Sequence, residues 1–496
     1  MQPESEPWAV AEILNAGALG TRLSSVVGGI AMSSEGLAMM PVEDPATGDT
    51  FAEVVDSPAD VVDLAVLDAE TTFHGTWRRV SPAERGRLML SMARHIRDRR
   101  SVLARLETLD TGKPLSQART DVETAARYFE FYAGMADKLM GETLPQAEPT
   151  FAYTTREPHG VVAHVTPWNS PLSQMCRGVA PSLAAGNTVV VKPSELTPVS
   201  SIYLALLAIE AGFPPGVFNV VTGRGPETGQ ALTTHAAVRH ISFTGSVATG
   251  QAILRAASEN IVPCTLELGG KSPTIVFGDA DVERAGRAAA ATVIRNSGQS
   301  CFATTRILAH RSVYEQLIDV TTVAVQRLRL GHGLDDPDMG PLVSAAQLAR
   351  VRGYLDLAAT EGAQVAFTGQ LDKGLPAGYF LAPTILRDVT NDMRVAREEI
   401  FGPVQCIMKF DTEDEAISIA NDSDYGLAAG IFTTDLATAH RVSAQLDVGQ
   451  VQVNRYPAGG VDTPFGGYKK SGMGREKGIA ALQHYTQLKT VIISLD

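Results

Sequence analysis

The sequence predicts an α/β protein with a doubly wound, nucleotide-binding type of sheet, followed by a second α/β series. Three observations predict it. Between Val161 and Ser258, short valine-rich runs (VVAHV, NTVVV, FNVV, HISFT) alternate with helical stretches. Such runs, bounded by glycine, proline and asparagine, suit parallel strands buried on both faces. A second alternation starts at Thr274 and continues to about Gly459. The chain has 496 residues, more than one core organises, so two or three domains are expected.

Taken in order, the first forty residues form an extension leading into a hairpin. SPAE at Ser81–Glu84 is a capping box with Pro82 at the first helical position. It predicts one helix running through RGRLMLSMARHIRDRRSVLARLETLD. Leu139–Thr155 contains two prolines and lacks a helical period, so it reads as an excursion from the first domain. VVAHV leads to a helix from Pro171, and NTVVV to one near Thr197–Ala211. FNVV leads to a short helix near Pro226–Thr234, and HISFT to one from Val247. The domain boundary falls near LELGGKSP. Beyond it come PTIVF, a helix from Asp281, TRILAH, a helix from the capping box SVYE at Ser312–Glu315, and another from TEDE at Thr412–Glu415. QHYTQLKTVIISLD reads as a final strand. Such excursions and edge strands either contact another subunit or are covered within one chain.

Composition excludes several classes. A formal net charge of −13 disfavours nonspecific contact with nucleic acid or anionic membranes. Four scattered cysteines, Cys176, Cys264, Cys301 and Cys406, show no metal-ligand spacing. That argues against zinc and disulfide scaffolding and fits a reducing compartment. No apolar run has the length of a membrane span. Glu4, Glu6 and Glu12 precede the first arginine, Arg22, which is unlike a secretory or mitochondrial leader. A cytoplasmic protein is expected.

Separate stretches then carry hints of chemistry. NSGQSCFATTR places Cys301 at a polar turn just beyond Gly298, where a thiol is a nucleophile if it is not a packed small hydrophobe. FTGSVATG runs from a strand into a helix, with Gly245 and Gly250 five apart. It is not GxGxxG, yet such a turn can aim backbone amides at a phosphate. VVVKPSE ends a strand with Lys192 and Glu195. A carboxylate there accepts ribose hydroxyls and repels a 2′-phosphate; the alternative is a solvated ion pair. PWNSPL offers Asn169 as an amide donor or as a plain turn residue. LELGGKSP sets Glu267 in an apolar strand, where a carboxylate is either paired or functional.

Together PWNSPL, AAGNTVVVKPSE, FTGSVATG, LELGGKSP, GQSC, EEIFGPV and PFGGYKKSGMGRE resemble the aldehyde dehydrogenase superfamily, in the family's order. The resemblance runs from about Pro41 to the C-terminus. It implies Cys301 as nucleophile, Glu267 as general base and Asn169 as oxyanion donor. Lys192 and Glu195 would hold the adenosine ribose of NAD, which Glu195 favours over NADP. Trp168, Gly225 and Ser246 would lie near the pyrophosphate or adenine, and Glu399 and Phe401 at the nicotinamide and its ribose. The implied fold is a Rossmann-like cofactor domain (1–137 and 156–265), an α/β catalytic domain (266–460) and a small β-hairpin oligomerisation domain (138–155 and 478–496), usually in dimers or tetramers. The implied reaction is oxidation of a small-molecule aldehyde to an acid through a thiohemiacetal and a thioester. Glu267 favours hydrolysis over transfer to coenzyme A. A non-catalytic relative would tend to lose the cysteine or the base, and both are present.

The sequence departs from the family after PWNSPL. It reads SQMCRG, placing Arg177 where many relatives have an aromatic residue and Gly178 where they have lysine. Arg455, in VNRYPAGG, falls in the loop that walls the substrate tunnel in the family. One expectation is that Arg177 and Arg455 pair to bind a carboxylate, making the substrate a semialdehyde or another acidic aldehyde. The competing expectation is a hydrophobic tunnel formed by Met175, Phe302 and Phe465.

Overall fold

The computed structural model describes residues 9–495; Glu4, Glu6 and the last residue, Asp496, lie outside them. The first sheet is centred on five parallel strands. Their order is Cys264–Glu267, Val238–Thr244, Val161–Val165, Thr188–Lys192 and Phe218–Val220. In chain order this reads 5-4-1-2-3, so the winding reverses between Val161–Val165 and Val238–Thr244. A ligand crevice is expected at the carboxyl ends of those two strands.

The strands are apolar throughout because both faces are covered. Val189 and Val191 pack in one core with Val179 and Leu183 of the helix Pro171–Ala185. Val190, pointing the other way, joins Ala163, Val62 and Val66 in a second core. Antiparallel strands close the edges. Gly472–Met473 pairs with Cys264–Glu267, and Val26–Val27 with Phe218–Val220.

The second sheet has seven strands among the described residues, from Gln364–Thr368 through Arg306–His310 and Pro273–Val276 to Gln450–Val453. All are parallel except Gln364–Thr368. A third, antiparallel sheet joins Thr143–Leu144, Thr150–Pro158 and Thr486–Ser494. The expected first hairpin is Met39–Glu43 against Thr50–Val55.

Several sequence expectations need correction. The helix opened by Ser81 is two helices, Pro82–Asp98 and Arg100–Thr111, broken at Arg99 (φ −97°, ψ 12°). The break lets the second helix run inward, where every residue from Val102 to Thr111 is buried. Ser312 caps no helix, because its hydroxyl is engaged by His310 Nδ1 at 2.7 Å. The helix there starts at Tyr314, after a single turn at Arg311–Val313. Position 265/266 falls inside the first-sheet strand Cys264–Glu267, and the next strand, Pro273–Val276, belongs to the second sheet. The boundary at 155/156 falls inside the strand Thr150–Pro158.

Candidate active site

At the carboxyl ends of the two central strands lies a groove of about 860 Å³, lined by Trp168, Lys192, Glu195, Gly225 and Ser246 among others. Lys192 closes its strand almost fully buried, with Nζ 3.3 Å from Glu195 Oε2. Burial pulls its pKa below the usual lysine value, against the pull of Glu195. Ser246 caps the helix Val247–Asn260, its Oγ accepting from the Thr249 amide at 3.2 Å. That leaves the positive end of a four-turn helix facing the groove. No atom lies within 4 Å of where a Gly225 Cβ would stand, so that turn is open. Gly250 serves packing instead, since a Cβ would come 2.7 Å from Leu268 Cδ2.

Phe401 meets Trp168 edge-on, with ring centroids 5.1 Å apart. Glu399 Oε1 accepts from the Gly270 amide at 3.0 Å, and a Cβ on Gly269 would overlap its other oxygen. The glycines of LELGGKSP therefore make room for Glu399, whose carboxyl burial pushes up to about 7. Neither Glu399 nor Phe401 lines the groove itself. Glu195, the N-terminus of the helix capped by Ser246 and the Trp168 ring all line this groove. A carboxylate, a helix N-terminus and an aromatic face suit a ribose, a pyrophosphate and a flat ring, so the residues fit NAD.

The second-sheet side contributes a cavity of about 940 Å³, lined by Asn169, Cys301, Phe302, Arg177, Arg455 and Phe465 among others. The loop carrying Cys301 is held in an unusual backbone. Asn296, Ser297 and Gly298 have φ of +48°, +54° and +74°, a left-handed run that non-glycine residues adopt only when their surroundings enforce it. The enforcement is visible. Asn296 Nδ2 donates to Asn169 O at 2.7 Å, and Ser297 Oγ to Gly340 O at 2.7 Å. Gln299 Oε1 accepts from the Val343 amide at 2.9 Å, and its Nε2 donates to Asn296 O at 3.0 Å. A Cβ on Gly298 would overlap Gly402 O, and one on Gly270 would overlap Cys301 O.

Asn169 precedes the helix Pro171–Ala185. Its Oδ1 accepts from Gln174 Nε2 at 2.8 Å, and its Nδ2 donates to Gln299 O at 3.0 Å. The amide is thereby oriented, with its second N–H unpartnered among the described residues and available to a ligand. The Cys301 backbone N–H donates to no carbonyl among the described residues. Burial pushes the Cys301 thiol up to about 12, opposed by Arg177. Glu267 ends its strand 1% exposed, and neither carboxyl oxygen has a hydrogen-bond partner among the described residues. It is not among the residues that line the cavity, and its Oε1 lies 2.9 Å from where a Gly466 Cβ would be. Burial first, then Glu476, push its carboxyl up to about 8.

Two substrate expectations need correction. Arg177 lines the cavity, but its guanidinium is paired with buried Glu476 and donates to Gln174 Oε1 at 3.3 Å and Thr244 Oγ1 at 3.2 Å. Its charge is neutralised within the protein, so it makes no carboxylate pair with Arg455. Met175 is fully buried in the first core. Ser170, Ser173, Gln174 and Arg177 present one helix face to the cavity, and Met175 lies off it. Gly178 is also interior, because a Cβ would come 2.8 Å from His164 Nδ1.

Phe302 and Phe465 do wall the cavity, meeting edge-on at 6.0 Å. Tyr456, itself buried, backs that wall, its hydroxyl donating to Phe302 O. Sequence reading missed Gln174, Gln299, Tyr456, Glu476 and Lys477. The signal for the last two was an acid–base pair set among glycines in GREKG. Among the described residues no cluster of three His, Cys, Asp or Glu could hold a metal.

Comparison with known proteins agrees with this geometry. Residues 31–491 match the model of the aldehyde dehydrogenase family. A betaine aldehyde dehydrogenase of Cereibacter sphaeroides is 44% identical over 474 residues, covering 95% of this chain and 97% of its own. A 4-trimethylaminobutyraldehyde dehydrogenase of Bos taurus is 43% identical over 457 residues, covering 91% and 92%. The NAD+ complex of an aldehyde dehydrogenase from Bacillus cereus superposes with a TM-score of 0.93 at 41% identity, covering 96% of this chain and 97% of that one. A cysteine loop facing a cavity, next to a groove with a ribose-type carboxylate and a capped helix, is thus matched along nearly the whole sequence, and the chain belongs to the aldehyde dehydrogenase family.

Proposed function

We propose that the protein oxidises an aldehyde to a carboxylic acid with NAD, through a thioester on Cys301 that water hydrolyses. The observation that carries this reading is the convergence of Cys301, the free N–H of Asn169 and the free Cys301 amide on one cavity. When bound in the groove, NAD supplies the acceptor for the hydride that leaves the substrate carbon. Glu195 takes the ribose hydroxyls, and the helix capped by Ser246 offers its N-terminus to the phosphates.

Cys301 gives up its thiol proton to solvent water in the cavity and its sulfur attacks the aldehyde carbon, leaving an alkoxide on the former carbonyl oxygen. Asn169 Nδ2 and the Cys301 amide donate to that oxygen, each contributing roughly 3–4 kcal/mol by analogy with comparable sites. Loss of hydride from the thiohemiacetal gives the thioester. Glu267 then accepts a proton from the attacking water, the acid leaves and the thiol is restored. Its carboxylate form is required for that step, so deacylation rises with pH through about 8.

The chain acts as a homo-oligomer in the same reading. Support comes from the third sheet and the residue after it, where Leu488, Ile492, Ile493 and Leu495 are exposed on strands too few to be stable alone.

The test is NADH formation by absorbance with purified protein and an aldehyde panel, beside Cys301→Ala. Turnover should fall by roughly 10⁴-fold or more in the variant, while NAD binding, read by fluorescence quenching, persists. Equal rates in both proteins would overturn the reading.

A further inference from the structure

Most charged side chains around the aldehyde cavity are already paired. Asp121 holds Lys113 at 2.6 Å, Arg127 pairs with Glu130, and Arg177 with Glu476. Lys477 is different. Its ammonium lines the cavity without a hydrogen bond or ion pair among the described residues, 5.0 Å above the Phe465 ring. Arg177 Cζ lies 5.5 Å from the same ring. The charged and titratable groups facing Lys477 are Arg177, Glu267, Glu476 and Cys301. Glu476 is spent on Arg177, and Glu267 and Cys301 carry their protons near neutrality. Lys477 also holds φ +59°, a left-handed backbone that favours glycine. At the mouth, Arg455 is exposed and likewise has no ion pair among the described residues; Asp462 is the one unpaired carboxylate there.

We propose that Lys477, helped by Arg455, receives the carboxylate of an oxo acid, so that the substrate is an acidic aldehyde and the product a dicarboxylate. The inference rests on the proposed aldehyde chemistry of this same cavity. A half-dry ammonium without a counter-charge gains most from an incoming anion, because the desolvation is already spent. A neutral chain leaves it unsatisfied, and a quaternary ammonium meets repulsion from both cations. Burial brings Lys477 down to about 8, which leaves it mostly charged at neutral pH.

The experiment compares succinic semialdehyde, butanal and betaine aldehyde as NAD-linked substrates of the wild type, Lys477→Met and Lys477→Arg. In parallel, calorimetry follows succinate binding to each. The wild type should prefer succinic semialdehyde over butanal by about tenfold or more in kcat/KM, as a charge-assisted contact implies. Lys477→Met should shrink that ratio about tenfold or more, chiefly through KM, and weaken succinate binding in parallel. Lys477→Arg should restore most of both. An unchanged ratio in Lys477→Met, or a wild type preferring butanal or betaine aldehyde, overturns the inference while leaving the catalytic reading intact. Succinate binding that depends on Lys477 without oxidation of any aldehyde would uphold the anion site and overturn the catalytic reading.

Discussion

The cofactor groove and the aldehyde cavity meet at Trp168 and Asn169, yet they are built by opposite means. In the groove, regular elements do the work. A strand delivers Lys192 to Glu195, and a helix begins at Ser246 with an ordinary serine cap. Each contact spans three residues or fewer along the chain. In the cavity, three successive left-handed residues reverse the backbone ahead of Cys301, and the bonds that hold them reach Asn169, Gly340 and Val343. Local structure fixes the first region. Tertiary contact fixes the second, and strain is held there by partners from distant segments.

If that contrast is right, disturbing the cavity should cost far more than disturbing the groove. The largest effect among the supporting residues belongs to Glu267. Glu267→Gln should lower steady-state turnover by roughly 10²–10⁴-fold while a stoichiometric burst of NADH survives, since acylation does not need this base. The wild-type rate should climb through about pH 8, where Glu267 loses its proton, and that limb should vanish in the variant. Stability gives an independent reading. Burial raises the folded carboxyl from 4.5 to about 8, so between those values the folded state keeps a proton that the unfolded chain has lost. Stability from this group is full below about pH 4.5 and fades as pH rises through about 8. The Tm of Glu267→Gln should accordingly fall less across that window, by calorimetry. A burst-free variant, or one with the parental pH dependence, would remove Glu267 from its role.

Next comes Gly298. A Cβ there is strained at φ +74° and overlaps Gly402 O, so Gly298→Ala should cost about 2 kcal/mol or more. Cys301 should also be displaced, which slower alkylation by iodoacetamide and a lower kcat would report. Retained Tm and kcat together would show that the loop is not held as described.

The groove should be more forgiving. Glu195→Gln removes the ribose-accepting charge and should narrow the NAD-over-NADP preference about tenfold in kcat/KM, with kcat for NAD little changed. The smallest effect is Ser246→Ala. A lost cap costs about 1 kcal/mol, and the KM for NAD should rise a few-fold. If Ser246→Ala cost more than Gly298→Ala, the contrast between the two regions would be inverted.

This difference also explains what could be read in advance. Unbroken valine in NTVVV and VVAHV requires cover on both faces, which dictates parallel strands and a doubly wound sheet. Lys192 and Glu195 follow a strand end, which the sheet's winding puts on the crevice, whereas Trp168, Gly225 and Ser246 were implied by the family resemblance and line the same groove. The sequence by itself also singled out Cys301 and Glu267, since a thiol at a polar turn and a carboxylate in an apolar strand are anomalies of composition. Their partners were decided only in three dimensions. Whether Arg177 is free or paired depends on Glu476, almost three hundred residues later in the sequence. Met175 and Gln174 are neighbours in sequence, and the helix sends one to the core and the other to Asn169. Lys477 is left without an ion pair among the described residues because Glu476 pairs with Arg177 and burial keeps the proton on Glu267. Side-chain charge is written in the sequence, but whether it is neutralised depends on which distant segment packs against it, and burial makes that choice energetically large.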